Sequence, residues 1–174
     1  MTFTSSGGNF SLLVAEEQLE TLRLNRLYRD WRQVVSGGAL PDAAFNDPQR
    51  LAYLDGMLVI VDVETPAAEL RRYRYRSVGR HFIDHLKVDP AGTYMDQHPE
   101  SDFAAQAIRA CDLVVQTRRP IHARIDRDIE GRRFMVEFLL LPLAGHGAGD
   151  DHDHGGGDEV ATVLIAQIFT PAGA

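Results

Sequence analysis

The residues from Arg71 to Gly79 place the tightest limit on what this chain can fold into. Their order, Arg-Arg-Tyr-Arg-Tyr-Arg-Ser-Val-Gly, alternates strictly, with Tyr73, Tyr75 and Ser77 on one side and arginines on the other. A period of two predicts a β-strand, because successive side chains of a pleated strand point to opposite faces of the sheet. Arginine is rarely buried without a partner. One face of this strand therefore borders water or faces a group that attracts positive charge.

Two interpretations of this strand remain open at the level of sequence. In the first, it is an edge strand whose charges discourage pairing between sheets, with salt bridges to the neighbouring Asp62 and Glu64. In the second, one of its faces lines a ligand pocket, where an arginine would pair with a carboxylate or phosphate. The alternation does not say which face looks inward.

The bulk composition describes a soluble protein of one domain. The 174 residues are 44% hydrophobic and 25% charged, which is ordinary for a globular chain. A net charge of -7 argues against a general nucleic-acid binder, which needs a surplus of basic residues. No apolar run approaches the ~20 residues of a membrane helix, and the N-terminus lacks the regions of a secretory signal. With a single cysteine, Cys111, the chain is expected to be cytoplasmic.

The order of predicted elements indicates an α+β fold. A helix is expected over 15–35, apolar and Arg/Tyr strands over 57–64 and 71–79, a helix from 98 to 117, and strands over 121–129, 133–143 and 160–169. These predict a five-stranded antiparallel sheet with helices on one face and an N-terminal flanking helix. The division is a flexible N-terminus at 1–14, a flanking helix at 15–36, a core domain at 37–170 and a tail at 171–174. Within the core domain, the Gly/His/Asp-rich stretch 145–158 is expected to be a flexible hairpin loop.

This order of elements resembles a PAS domain, and the residues resemble one bacterial subfamily in which the domain is often found alone. The motifs that carry the resemblance span about residues 24–169: Leu27-Tyr28-x-x-Trp31, Leu40-Pro41, Asp47-Pro48, Leu54 before the strand Leu58–Asp62, Tyr73-Arg74-Tyr75-Arg76-x-x-Gly79, Arg119-Pro120-Ile121 and Leu140-Leu141-Pro142-Leu143. The resemblance implies a sensory or regulatory module in signal transduction that binds a small ligand or a signalling protein and is not an enzyme. No helix follows Phe169, so a stand-alone protein without an output domain is expected.

The resemblance also implies where a ligand would bind, in a pocket between the inner face of the sheet and the central helices. The candidate ligand-binding residues are Tyr75, Arg76, His81 and Cys111. The alternatives are a solvated His81 and a Cys111 that is simply a small buried apolar side chain. The chain lacks the cysteine motif of flavin-binding PAS domains and a convincingly placed haem ligand, so no cofactor is expected.

The N-terminal helix carries two apolar stripes, which predicts two burial partners. Leu24, Leu27 and Trp31 lie on one stripe, and Leu19 and Leu22 fall on another. PAS domains commonly dimerise through a helix at this position, so all five residues are candidates for a homodimer interface. The alternative is that the early leucines pack on a loop of the same chain.

The Gly/His/Asp loop supports a competing hypothesis. Its side chains could bind a divalent metal and make the chain a small metal-dependent enzyme; they are His146, Asp150, Asp151, His152, Asp153 and His154. A metal site needs ligands held in place by rigid elements, which a glycine-rich loop does not supply, so no metal site is assigned. A third hypothesis is a purely structural adaptor with a fully packed core.

Overall fold

In the computed structural model, the main element is an antiparallel sheet with helices on both faces. The structure describes residues 2–5, 8–12, 16–35, 39–65, 70–97, 101–129, 131–145 and 159–171. The strands are β1 (Thr2–Ser5), β2 (Gly8–Leu12), β3 (Leu58–Glu64), β4 (Arg72–Val78), β5 (Ile121–Ile129), β6 (Arg132–Ala144) and β7 (Val160–Pro171). The α-helices are α1 (Leu22–Val34), α2 (Arg80–Leu86) and α3 (Ser101–Thr117). One-turn 3₁₀ helices occupy Glu16–Gln18, Ala43–Phe45, Ala52–Leu54 and Met95–Gln97.

The five predicted strands pair as a PAS-like sheet. The strand order is β1-β2-β5-β6-β7-β3-β4, and every neighbouring pair is antiparallel. β7 therefore lies at the centre of the five core strands, as its nearly continuous apolar sequence predicts. The α+β fold, with two strands, a helical middle and a three-strand meander, is confirmed.

The N-terminus differs from the flexible segment expected for residues 1–14. Thr2–Ser5 and Gly8–Leu12 form a hairpin, and its second strand pairs with β5 from Leu12 against Ile121 to Asn9 against Arg124. The Ser/Gly-rich composition concealed it, because strands of four and five residues are too short for a periodic signal to emerge. The hairpin extends the five-stranded core to seven strands.

Two apolar clusters lie on opposite faces of the sheet. On the inner face, α2 and α3 cover β3 and β4 as well as the centre of the sheet; small residues of α3, among them Ala110, Cys111 and Val114, let that helix pack closely. On the outer face, α1 packs on the alternate residues of β6 and β7. The buried leucines of β6 show this division, since Leu140 belongs to the inner-face cluster while Leu139 and Leu141 belong to the outer-face cluster. Both faces of this end of β6 are therefore buried.

The flanking helix is interrupted, and it packs on the chain's own sheet. A 3₁₀ turn at Glu16–Gln18 precedes α1, which begins at Leu22. Of the five residues proposed for dimerisation, Leu22 is 85% exposed, whereas the others are at most 6% exposed and lie in the outer-face cluster: Leu19, Leu24, Leu27 and Trp31. Their burial occupies the surface that a second chain would need. Dimerisation itself stays a prediction.

A close backbone approach fixes the start of α2 beside the start of β3. The amide of Gly79 donates to the carbonyl of Leu58 (2.7 Å), and the amide of His81 donates to the carbonyl of Gly56 (3.0 Å). A Cβ at position 79 would lie 2.4 Å from the Gly56 carbonyl oxygen. Only glycine fits at this crossing, which places α2 over the inner face of the sheet.

Candidate functional site

A cavity of about 50 Å³ lies between the inner face of the sheet and the helices. Its apolar wall comes from β3, α2, the Met95–Gln97 turn, α3 and the three-strand meander: Val59, Phe82, Met95, Ala107, Ala110, Ile125, Phe138, Leu140 and Ile165. Three polar side chains complete the lining, namely Tyr75, Gln106 and Gln167. None of the described lining residues is charged.

Gln167 is the most unusual group in this wall. It is 1% exposed, and its side-chain Nε2 has no hydrogen-bond partner in the structure. The backbone amide of Gln167 is satisfied, since it donates to the carbonyl of Met57 (3.2 Å). Phe138 lies directly opposite on β6. Buried polar groups are normally hydrogen-bonded, so an unpaired amide inside an apolar cavity calls for an explanation.

Tyr75 lines the same cavity, and its side chain carries a neutral hydroxyl group. The residue is 1% exposed, and burial raises the pKa of its hydroxyl well above the usual value, with a further contribution from the neighbouring Cys111. A protonated phenol can donate or accept a hydrogen bond but carries no charge. The polar groups of the cavity are therefore suited to neutral hydrogen bonding.

The other predicted ligand-binding residues lie away from the described wall. Cys111 is completely buried in the inner-face cluster, where burial raises its thiol pKa above the ordinary range. A thiol held protonated in this way is a weak nucleophile. His81 is exposed, and its ring lies against Gly56 at the start of α2. Of the four candidates, the structure brings only Tyr75 into the described lining.

Arg76 points away from the cavity, on the face opposite Tyr75, and a β-bulge lies at this residue. The register between β3 and β4 shifts between Ile60 and Val61, so that Ile60 faces Ser77 while Val61 faces Tyr75. The shift leaves Arg76 as an extra residue, and the strict alternation breaks there. As a result, Tyr73, Tyr75 and Val78 pack on the inner face, whereas Ser77 is exposed.

The arginines of β4 form ion pairs on the outer side of an edge strand. Arg76 Nε donates to Asp62 (3.2 Å), and Arg74 lies 3.8 Å from Glu64. Arg72 makes a bidentate contact with Asp96 at 2.9 and 2.8 Å. These are the acids that the edge-strand interpretation named, together with one from the Met95–Gln97 turn. The inward face of the strand is the tyrosine face.

A second buried polar site lies on the outer face of the sheet, centred on Glu137. Its carboxylate is 0% exposed and accepts hydrogen bonds from the backbone amides of Glu20 (2.9 Å) and Thr21 (3.0 Å) and from the Thr21 hydroxyl. His122 Nε2 lies 2.9 Å from the same carboxylate. Burial raises the pKa of Glu137, but the hydrogen bonds from His122, Thr21 and the Glu20 amide outweigh it and lower the pKa to about 2. This ionised carboxylate fixes the segment that leads into α1.

Sequence reasoning missed both Gln167 and Glu137, although each left a signal. Gln167 is a polar interruption in the apolar strand β7, with the same parity as the buried Val163 and Ile165. Glu137 interrupts the outward-facing stripe of β6 in the same way. A charged or amide residue in a strand covered on both faces is a candidate for a specific role.

The described residues contain neither a group of metal ligands nor a membrane-spanning helix. Among these residues, no group of three His, Cys, Asp or Glu side chains is placed to hold a metal ion. The histidines and aspartates proposed as ligands at 146–154 lie outside the described residues. None of the helices described is both long and apolar enough to cross a membrane.

Comparisons with known proteins give structural similarity at low sequence identity. No protein-family model matches the sequence, and no curated protein matches it. A domain of an HTR-like protein from Haloarcula marismortui is 18% identical with a TM-score of 0.37, covering 64% of this chain and 96% of that chain. An RNA-binding light-oxygen-voltage receptor is 14% identical with a TM-score of 0.41, covering 92% of this chain but 37% of that chain. The fold assignment rests on the strand order described above.

Proposed function

We propose that this chain is a PAS-like sensory or regulatory module that binds a small molecule in the cavity between the sheet and α3. The observation that carries the proposal is the cavity itself, which lies beside the inner-face cluster of a sheet that is packed on both faces. Protein interiors are close-packed, and an unfilled volume costs stability. A retained cavity at the junction of strands β3 to β7 with the helices is therefore best explained by a ligand.

The chemistry of the wall favours binding over catalysis. Tyr75 and Cys111 are buried, and their raised pKa values keep both groups protonated at neutral pH. Neither is activated as a base or a nucleophile, which would require a lowered pKa or an adjacent base. The metal-dependent enzyme hypothesis rests on a loop outside the described residues, so no observation favours it. A cytoplasmic location and a homodimer remain predictions.

Native mass spectrometry of the protein purified from its own host tests the proposal. The matched pair of variants is Ala107→Val, which narrows the cavity, and Ala105→Val, which makes the same change on α3 outside the lining. We expect a non-covalently bound mass in the wild type and in Ala105→Val, and its loss in Ala107→Val. A bound mass that survives equally in Ala107→Val would place the ligand elsewhere. A wild-type protein without any bound mass would favour the structural adaptor.

A further inference from the structure

We infer that the ligand of this cavity is a small uncharged molecule with a hydrogen-bond acceptor that meets the side-chain amide of Gln167. The inference rests on the proposed function and narrows it to a chemical class. It starts from the unpaired Nε2 of a residue that is 1% exposed. A buried donor without an acceptor loses its hydrogen bonds to water and gains nothing in return.

The surroundings of Gln167 explain why the acceptor must come from outside the wall. Phe138 faces it on the neighbouring strand, and Ile165 precedes it on the same face of β7; neither side chain can accept a conventional hydrogen bond. No hydrogen bond joins Gln167 to Tyr75 or Gln106 among the described contacts. The partner of suitable chemistry is an acceptor that enters the cavity, either a ligand oxygen or nitrogen or a bound water that such a ligand displaces.

The same wall excludes a charged ligand. The described lining contains no arginine, lysine, histidine or acid, and the phenol of Tyr75 stays protonated. The arginines of β4 are directed to the other side of the strand, where Asp62, Glu64 and Asp96 pair with them. A carboxylate or ammonium group in this cavity would be buried without a counter-charge, which is strongly unfavourable.

The size of the cavity limits the ligand further. At about 50 Å³ it is smaller than the engineered cavities of about 150 Å³ that accept benzene. A single-ring molecule can enter only if part of the wall moves. Met95 has an adaptable side chain, and Gln106 is only partly buried, so this side of the cavity can widen. The ligand class is therefore a neutral molecule of about one ring or smaller.

Three probes of one aromatic skeleton test the inference by NMR titration: benzonitrile, toluene and benzoate. Benzonitrile supplies a neutral acceptor, toluene has none and benzoate is an anion. The spectrum includes the side-chain amide of Gln167, which is assigned by its disappearance in Gln167→Leu. We expect benzonitrile to shift this amide signal and to bind about fivefold more tightly than toluene, with no binding of benzoate. In Gln167→Leu the two neutral probes should bind equally, whereas the exposed control Gln33→Leu should keep the preference.

The outcomes separate the ligand class from the function. Equal binding of toluene and benzonitrile to the wild type, or tighter binding of benzoate, refutes the inferred ligand class. The proposal that the cavity binds a ligand is then still supported. If none of the three probes shifts any cavity residue, both the class and the site are overturned. Thermal unfolding without ligand gives an independent check. Removal of an unpaired amide should raise the melting temperature by about 2–6 °C in Gln167→Leu, and a decrease would show that the amide already has a partner.

Discussion

Replacement of Glu137 by glutamine is the sharpest test of how the N-terminal helix is held on the sheet. The carboxylate of Glu137 joins β6 to the amides of Glu20 and Thr21, just before α1, and to His122 on β5. Glutamine has nearly the same shape and keeps one acceptor oxygen, but it has no charge. The change therefore removes the charge-assisted part of the network while it preserves packing.

The expected magnitude follows from the pKa of Glu137. The hydrogen bonds to this group overcome the effect of burial and lower its pKa from the ordinary value of 4.5 to about 2. A shift of this size corresponds to about 3 kcal/mol of stability at pH 7. Because the folded-state pKa is lowered, this contribution is complete above pH 4.5 and is lost as the pH falls through about 2. We expect Glu137→Gln to cost about 2–3 kcal/mol at pH 7 and about 1 kcal/mol at pH 3.

Urea unfolding followed by tryptophan fluorescence measures the loss of unfolding free energy in Glu137→Gln. Trp31, the only tryptophan of the chain, is buried on α1. Its Nε1–H donates a hydrogen bond to the carbonyl of Pro142 on β6 (3.1 Å), so its fluorescence reports on the contact between α1 and the sheet. The control is Glu17→Gln, which removes an exposed charge from the same segment. The reasoning fails if Glu137→Gln costs no more than Glu17→Gln at pH 7, or if its cost stays the same between pH 7 and pH 3.

Three further substitutions test other parts of the structure. Gly79→Ala should lower the unfolding free energy by about 2 kcal/mol or more, since the new Cβ would meet the Gly56 carbonyl; a loss below about 0.5 kcal/mol in urea would refute the close approach. Arg76→Ala should cost less than about 1 kcal/mol in the same assay, because its pair with Asp62 is half exposed; a larger loss would mean that the pair is not a surface ion pair. Leu22→Asp should leave stability unchanged and convert a homodimer to a monomer in light scattering; an unchanged dimer would exclude Leu22 from the interface.

The core strands and the long helix could be predicted because periodicity and burial coincide in them. β5 was predicted with the bounds Ile121–Ile129 that the structure shows, and β6 and β7 differ by a few residues at their ends. Each is long, and its apolar residues repeat with the period of the element. The short N-terminal hairpin has too few residues for such a signal, and its pairing with β5 is a long-range contact that local sequence cannot reveal.

The β4 strand shows how a single bulge limits the same reasoning. The alternation correctly separated Tyr73 and Tyr75 from the arginines, whereas Arg76 became a candidate through the family resemblance and not through the alternation. One extra residue at Arg76 changes the parity of the strand, so that Val78 and not Ser77 returns to the inner face. A bulge is set by the pairing of two strands, and the sequence of one strand does not encode it alone.

Glu137 and Gln167 are two buried polar side chains of the sheet that differ in their hydrogen bonding. They lie on neighbouring strands and on opposite faces of the sheet, where Gln167 is paired with Phe138, the residue after Glu137. Both are almost completely buried, so both have lost their hydrogen bonds to water, which is unfavourable. For Glu137, hydrogen bonds with His122, Glu20 and Thr21 replace those to water. Its contribution to stability is therefore sufficient to explain its burial. The Nε2 of Gln167 has no hydrogen bond within the described structure that would replace those to water. Because local rules of folding are violated mainly at functional sites, the unpaired amide on β7, and not the arginines of β4, is the feature that supports the proposed binding site.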